Sequence, residues 1–455
     1  MSKSISINPA TEEKIAEYNR LTVKETQQKI EKAHTVFMEW KNTSHIKRAQ
    51  LMNNLADELE NNTDYYAEIA TAEMGKTIGQ SRKEVEKCAW VCRYYAENTK
   101  DLLQDTAVKT EAEKSYVTFQ PLGVVLAVMP WNFPYYQAIR FLAPALMAGN
   151  TGVLKHASNV QGCAFAIEEA IIKAGFPEGI FSNINVASDA IEAVIEHNHI
   201  VAVTLTGSAP AGQSVASIAG KNLKKTVLEL GGNDAYIVLD DANLEEATDL
   251  ATLGRLQNNG QTCIAAKRII VLDKIYDEFL KLYTEKMEAA KMGEPTDKDT
   301  YYGPLARLDL RDELHKQVEK TIDQGGTLIL GGKIPNRKGA YYPATILTDL
   351  EDGMEAFNEE LFGPVASVIR AKDEAHAIEL ANNSKFGLGA GVITSDKKKG
   401  EKIALQLEAG SCFVNKLVAS DPRLPFGGIK TSGFGRELSG YGIKEFVNTK
   451  TIWID

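Results

Sequence analysis

Apolar positions change their period along the chain, and each change marks a change of structure. From Thr22 to about Asp101 they recur at helical spacing with charged residues between them, as in Ile46-Lys-Arg-Ala-Gln-Leu51-Met52 and Leu55-Ala-Asp-Glu-Leu59, which predicts a largely helical segment. From Ser115 the pattern alternates in Tyr116-Val-Thr-Phe119. It then becomes a continuous apolar run, Val124 to Met129, stopped by Pro130, as in a strand buried on both faces. Between Pro144 and Val238, short apolar runs (Thr151–Leu154, Val201–Leu205, Lys225–Glu229) alternate with helical stretches (Gln161 to Ala174, Ala190 to His197, Ala209 to Ala219). That alternation predicts an α/β fold, a parallel sheet covered by helices on both faces. A second α/β unit runs from Leu244 to about Ala409, with strand-like Lys267–Leu272 and a helix from about Tyr276. Phe446 to Trp453 alternates like an edge strand, which needs a cover from another chain or from this one.

Composition narrows the class. A length of 455 residues suits two or three domains, and 44% hydrophobic with 25% charged residues is ordinary for a globular protein. With 61 acidic and 51 basic side chains the net charge is -10, which speaks against a nucleic-acid partner. The run Lys397-Lys398-Lys399 reads as a solvated turn. The N-terminus carries no secretory pattern and no stretch reaches the ~18 apolar residues of a membrane span, so a cytoplasmic protein with no membrane partner is expected. The five cysteines, Cys88, Cys92, Cys163, Cys263 and Cys412, are too few, scattered and odd in number for a disulfide framework. Cys88 and Cys92, one helical turn apart with no second Cys/His pair nearby, read as buried structural thiols, and no metal is expected.

Candidate chemistry gathers in four short segments where polar reactive residues sit among Gly and Pro at predicted strand ends, the place where α/β sheets hold ligands. They are Pro130-Trp131-Asn132-Phe133-Pro134, Leu228-Glu229-Leu230-Gly231-Gly232, Gly260-Gln261-Thr262-Cys263 and Glu359-Glu360-Leu361-Phe362-Gly363-Pro364. In this order and with these separations they resemble the aldehyde dehydrogenase superfamily, over essentially the whole chain from Ile7-Asn8-Pro9 onward. Lys155-His-Ala-Ser158-Asn159, Gln257-Asn-Asn-Gly260 and the segment Phe426 to Glu437 look most like the bacterial short-type succinate-semialdehyde dehydrogenases.

The resemblance implies a reaction. Cys263 corresponds to the nucleophile, attacking an aldehyde to give a thiohemiacetal whose oxyanion meets the Asn132 side-chain amide and the Cys263 backbone N–H. Glu229 corresponds to the general base that activates water against the resulting thioester. Its setting between Leu228 and Leu230 favours a raised pKa. Because acyl-transferring branches usually lack this glutamate, water is the expected acceptor and a free acid the expected product. The bland alternatives are a buried structural cysteine at 263 and a hydrogen-bonding strand-end glutamate at 229.

For the cofactor, NADP or NAD, the resemblance assigns Trp131, Lys155, Ser158, Thr206, Gly207, Ser208, Leu230, Glu360 and Phe362. Thr206-Gly207-Ser208 opens a helix after a strand, where backbone N–H groups can meet a pyrophosphate. Lys155 matches the residue on the adenine-side ribose, Glu360 the one on the nicotinamide ribose, and Phe362 the ring beside the nicotinamide. Ser158 stands where strictly NAD-using relatives often carry a glutamate, so NADP acceptance is expected. Arg140, eight positions after Asn132, matches the arginine that binds a distal carboxylate in succinate-semialdehyde dehydrogenases. Its alternative is a structural salt bridge. Gln257 replaces a second arginine of some relatives, and Asp421 near Arg423 takes the place of an expected serine, so a broad specificity for uncharged aldehydes stays open. A non-redox thiol hydrolase is the more distant alternative.

The expected architecture is aldehyde dehydrogenase-like. It has a Rossmann-like cofactor domain at 1–109 and 122–230, a catalytic domain with a second parallel sheet at 231–430, and a small β oligomerisation element from 110–121 and 431–455. A homodimer or homotetramer is expected.

Overall fold

The structure, a computed structural model, describes residues 2–455. Four helices, Val23–Trp40, His45–Asn61, Thr63–Met74 and Ile78–Leu102, fill the segment whose apolar period is helical. The first starts at a reciprocal cap in which Thr22 Oγ1 accepts from the Glu25 N–H while the Glu25 carboxylate accepts from the Thr22 N–H. Cys88 and Cys92 are buried on the fourth helix.

Two large sheets dominate. In the first, the strands Lys225–Glu229, Ile200–Thr206, Val124–Met129, Thr151–His156 and Phe181–Asn183 lie side by side and parallel, and Gly433–Phe434 adds antiparallel to the Lys225–Glu229 edge. The run Val124–Met129 is apolar throughout because it faces two cores. Val125, Ala127 and Met129 pack under the helices around 45–173, while Val124 and Leu126 pack with Val203 and Leu205 on the other side. In the second sheet the order is Thr327–Leu330, Thr345–Thr348, Val365–Ala371, Arg268–Leu272, Ala235–Val238, Gly389–Ile393 and Ser411–Val414, parallel except for the first. Its central strands are split between two cores in the same way.

The third sheet pairs Val447–Ile454 with Lys114–Pro121, which also pairs with Thr106–Ala107. The C-terminal strand is therefore covered along one edge by its own chain. The segment 431–455 is divided, since Gly433–Phe434 belongs to the first sheet.

One expectation is corrected. Lys397, Lys398 and Lys399 form the first turn of the helix Lys397–Ala404, and not a turn between elements. Asp396 caps it by accepting from the Lys398 and Lys399 N–H groups. Gly400 and Ile403 bury one face, so capping and packing outweigh the charge run. The hairpin Lys3–Ile7 with Lys14–Asn19 was not legible in the pattern. No helix among the described residues is long and apolar enough to cross a membrane.

Candidate active site

The two large sheets place the four reactive segments at one cleft. Pro130, Ser208 and Leu230 follow the carboxyl ends of first-sheet strands, while Cys263 and Glu360 precede the amino ends of second-sheet strands. Loops from both sheets thus supply the site.

Cys263 is half-buried and lies at the junction of two cavities. The larger, about 850 Å³, is lined by Trp131, Asn132, Thr206, Gly207, Ser208, Leu230, Glu360 and Phe362. The smaller, about 240 Å³, carries Arg140 and Gln257 on its wall. Lys155 and Ser158 lie outside that larger lining, at the end of the strand Thr151–His156 and in the loop after it.

The approach to the cysteine is strained. Asn258, Asn259 and Gly260 have φ of 55°, 58° and 74°, three successive residues in the left-handed region. Side-chain bonds hold them there. Asn258 Nδ2 donates to the carbonyls of Asn132 and Gln261, and Asn259 Nδ2 donates to those of Gly75 and Pro304. At Gly260 a Cβ would overlap the Gly363 backbone, so only glycine fits. After the turn, buried Lys267 donates to the carbonyls of Thr262 and Cys263 at 2.9 and 2.6 Å. Its ammonium also meets Glu360 at 3.0 Å. Among the described residues, the Cys263 N–H has no hydrogen-bond acceptor. Burial pushes the thiol up to about 12, against the pull of Lys267 and Arg140.

Asn132 is oriented by two glutamines. Its Oδ1 accepts from Gln137 Nε2 at 3.0 Å and its Nδ2 donates to the Gln261 carbonyl at 2.9 Å, which leaves one amide hydrogen without a protein acceptor. The loop itself is held by a buried ion pair. Lys76 meets Glu84 and donates to the Asn132 carbonyl at 3.0 Å, while Glu84 Oε1 accepts from the N–H groups of Tyr135 and Tyr136 at the start of the helix Tyr136–Ala148. Neutral His156 ties the loop to the first sheet. Its Nδ1 accepts from the Ala157 N–H, so Nε2 donates to the Pro134 carbonyl at 2.8 Å, and burial holds it down to about 4.

Glu229 ends its strand buried, with both carboxylate oxygens free of hydrogen-bond partners. Burial, and then the negative charge of Glu437, push it well above the usual carboxylate range. Arg140, only 4% exposed, is paired with the equally buried Glu437. Its guanidinium lies over the rings of Phe426 and Tyr136, and its Nε is without a partner. Sequence reasoning missed Lys76, Glu84, Gln137, Lys267 and the role of Glu437. The one available signal was the presence of Lys and Arg inside the apolar run at 264–272.

A dinucleotide fits the larger cavity. Its volume lies in the range of cofactor sites, and Ser208 begins the helix Ala209–Lys221 without a side-chain cap, leaving its N–H groups for an anion. Thr206 Oγ1 is buried with no partner. Gly212 allows the helix start to approach Leu230, since a Cβ there would stand 2.7 Å from the leucine side chain. The Trp131 and Phe362 rings meet edge-on at 5.8 Å. Glu360 is held by Lys267 and by the Gly232 N–H.

Two mainly parallel sheets enclosing a nucleotide-sized cleft that ends on a thiol define an α/β enzyme with a cysteine at the end of its cleft. The pattern of the aldehyde dehydrogenase family matches residues 2–452, and the chain belongs to that family. It is 49% identical over 452 residues to the NADP-dependent succinate-semialdehyde dehydrogenase 1 of Mycobacterium tuberculosis, covering 99% of both chains. Among solved structures it is similar to the succinic semialdehyde dehydrogenase of Streptococcus pyogenes in complex with NADP+, at 39% identity, 99% coverage of both chains and a TM-score of 0.97. It is also similar to the betaine aldehyde dehydrogenase of Staphylococcus aureus in complex with NAD+, at 29% identity, 99% and 91% coverage and a TM-score of 0.96.

Proposed function

We propose that this protein oxidises succinic semialdehyde to succinate with NADP, through a thioester on Cys263. The observation that carries the reading is Cys263 at the meeting point of a dinucleotide-sized cavity and a smaller one bearing Arg140 and Gln257. The names of the relatives in Mycobacterium tuberculosis and Streptococcus pyogenes support both substrate and cofactor.

In this reading the Cys263 thiolate adds to the aldehyde carbon, and the oxyanion takes up the free Asn132 amide hydrogen and the Cys263 N–H. Bound NADP supplies the hydride acceptor. Thr206, Gly207, Ser208 and Leu230 hold the pyrophosphate end, Lys155 and Ser158 the adenosine side, and Trp131, Glu360 and Phe362 the nicotinamide end. Glu229 then takes a proton from water, which hydrolyses the thioester to the free acid. Its unpartnered oxygens leave it free to accept that proton. The exposed edge of Val447–Ile454, with Trp453 and Ile454 open to solvent, supports assembly with a second copy of the chain.

One observation favours a broader reading. Glu437 already neutralises Arg140, which weakens its pull on a distal carboxylate. Initial rates of NADPH and NADH formation with succinic semialdehyde and butyraldehyde decide between the two. The proposal requires the charged aldehyde and NADP to be preferred, and equal use of butyraldehyde leaves a general aldehyde dehydrogenase.

A further inference from the structure

The smaller cavity holds a cation that neither the motif pattern nor the reaction uses. Lys87, on the helix Ile78–Leu102, lies on its wall together with Cys263, Arg140 and Ser420. Its Nζ donates to Ser420 Oγ at 2.8 Å and lies 4.6 Å from the centre of the Tyr136 ring. Among the described residues, no carboxylate forms an ion pair with it. The acids nearest in charge are engaged elsewhere, Glu84 with Lys76 and Asp421 with Arg423, and Arg140 has Glu437. Lys83 also lines the cavity but is exposed to solvent.

We infer that Lys87 is the specificity-determining cation of the substrate cavity, receiving the distal carboxylate of a short semialdehyde while the aldehyde carbon meets Cys263. This rests on the proposed substrate reading and deepens it. A half-buried ammonium without a counter-ion is unfavourable, and a carboxylate from the ligand supplies that counter-ion. Burial and the charge of Arg140 hold the Lys87 ammonium down to about 8. Ser420 extends the same site. Its Oγ accepts from both Lys87 and Tyr136 Oη, so its own hydroxyl hydrogen is left to donate to a carboxylate oxygen. The Tyr136 and Phe426 rings on the cavity wall fit the methylene chain between the two ends. Arg140, compensated by Glu437, serves as a neutral pair beside this site.

The test is a selectivity ratio, kcat/KM for succinic semialdehyde over that for butyraldehyde, in the wild type and in Lys87→Met, Lys87→Gln and Lys87→Arg. In the Met and Gln variants the ratio falls about 10- to 100-fold, the range for losing a charge-assisted hydrogen bond, chiefly through the KM for the charged aldehyde. In Lys87→Arg the ratio stays within about threefold of wild type, because a cation remains. Two neutral replacements guard against one that fails to fold. A strong wild-type preference that survives both overturns the inference and leaves the substrate reading standing. A wild type without preference overturns both.

Discussion

Arg140 and Glu437 form an ion pair sealed from solvent, the arginine inside the apolar helix Tyr136–Ala148 and the glutamate just before the C-terminal helical turn at Ser439–Ile443. The pair links the wall of the smaller cavity to the C-terminal segment. It also sets the field at Glu229, since Glu437 raises that carboxyl while Arg140 opposes the rise. Removing one partner strands a buried charge, so Glu437→Ala lowers stability by about 3 to 5 kcal/mol. Urea unfolding followed by tryptophan fluorescence measures this, and a loss below about 1 kcal/mol would show that the pair is hydrated in solution.

Glu229 is costly to bury. Its proton is retained in the folded state above the pKa of the unfolded chain, so its penalty is absent at acid pH and grows as pH rises through neutrality. Glu229→Gln therefore raises stability at pH 7 by about 1 to 3 kcal/mol while leaving it little changed near pH 4.5. The variant also stalls after the first turnover, and the wild-type deacylation rate climbs with pH as the carboxyl ionises. Thermal melts at both pH values and stopped-flow bursts check the two halves.

His156 works in the opposite sense. Its ring is neutral in the fold, with a pKa held down to about 4, so the stability it contributes is complete above the unfolded value near about 6.5 and is lost as pH falls toward 4. His156→Gln reduces the stability lost between pH 7 and pH 5 by about 2 kcal/mol relative to wild type. Parallel acid-limb slopes in the two proteins would contradict the assignment.

The amide of Asn132 has one hydrogen uncommitted because Gln137 and Gln261 fix the rest of the group. Asn132→Ala should cut kcat by about 100- to 1,000-fold. Gln137→Ala, which frees the amide to rotate, should cost a smaller factor in kcat with KM little changed. Steady-state kinetics on both variants decide it.

In the proposed cofactor assignment, Ser158 is the small neutral residue near Lys155 that admits a 2′-phosphate. A carboxylate at 158 repels that phosphate, so Ser158→Glu lowers kcat/KM for NADP by about two orders of magnitude and spares NAD. An unchanged NADP efficiency would place the phosphate elsewhere.

The buried parallel strands were legible because each is apolar on both faces, as Val124–Met129 and Ile200–Thr206 illustrate. Cys263, Glu229 and Asn132 stood out by their company of glycines and prolines. Pairings distant in sequence were not legible. Nothing local to Arg140 points to Glu437, and nothing in the helix Ile78–Leu102 distinguishes Lys87, turned into the cavity, from exposed Lys83 four residues earlier. The lysine run at 397–399 was misread because a charge count ignores the Asp396 cap.

A covalent acyl group on Cys263 is tested most directly with Glu229→Gln mixed with NADP and succinic semialdehyde, then acid-quenched for intact-protein and peptide mass spectrometry. The expected result is one succinyl group on the Cys263 peptide, formed in step with a burst of one NADPH per site. NADPH formed without an adduct on Cys263 would contradict it.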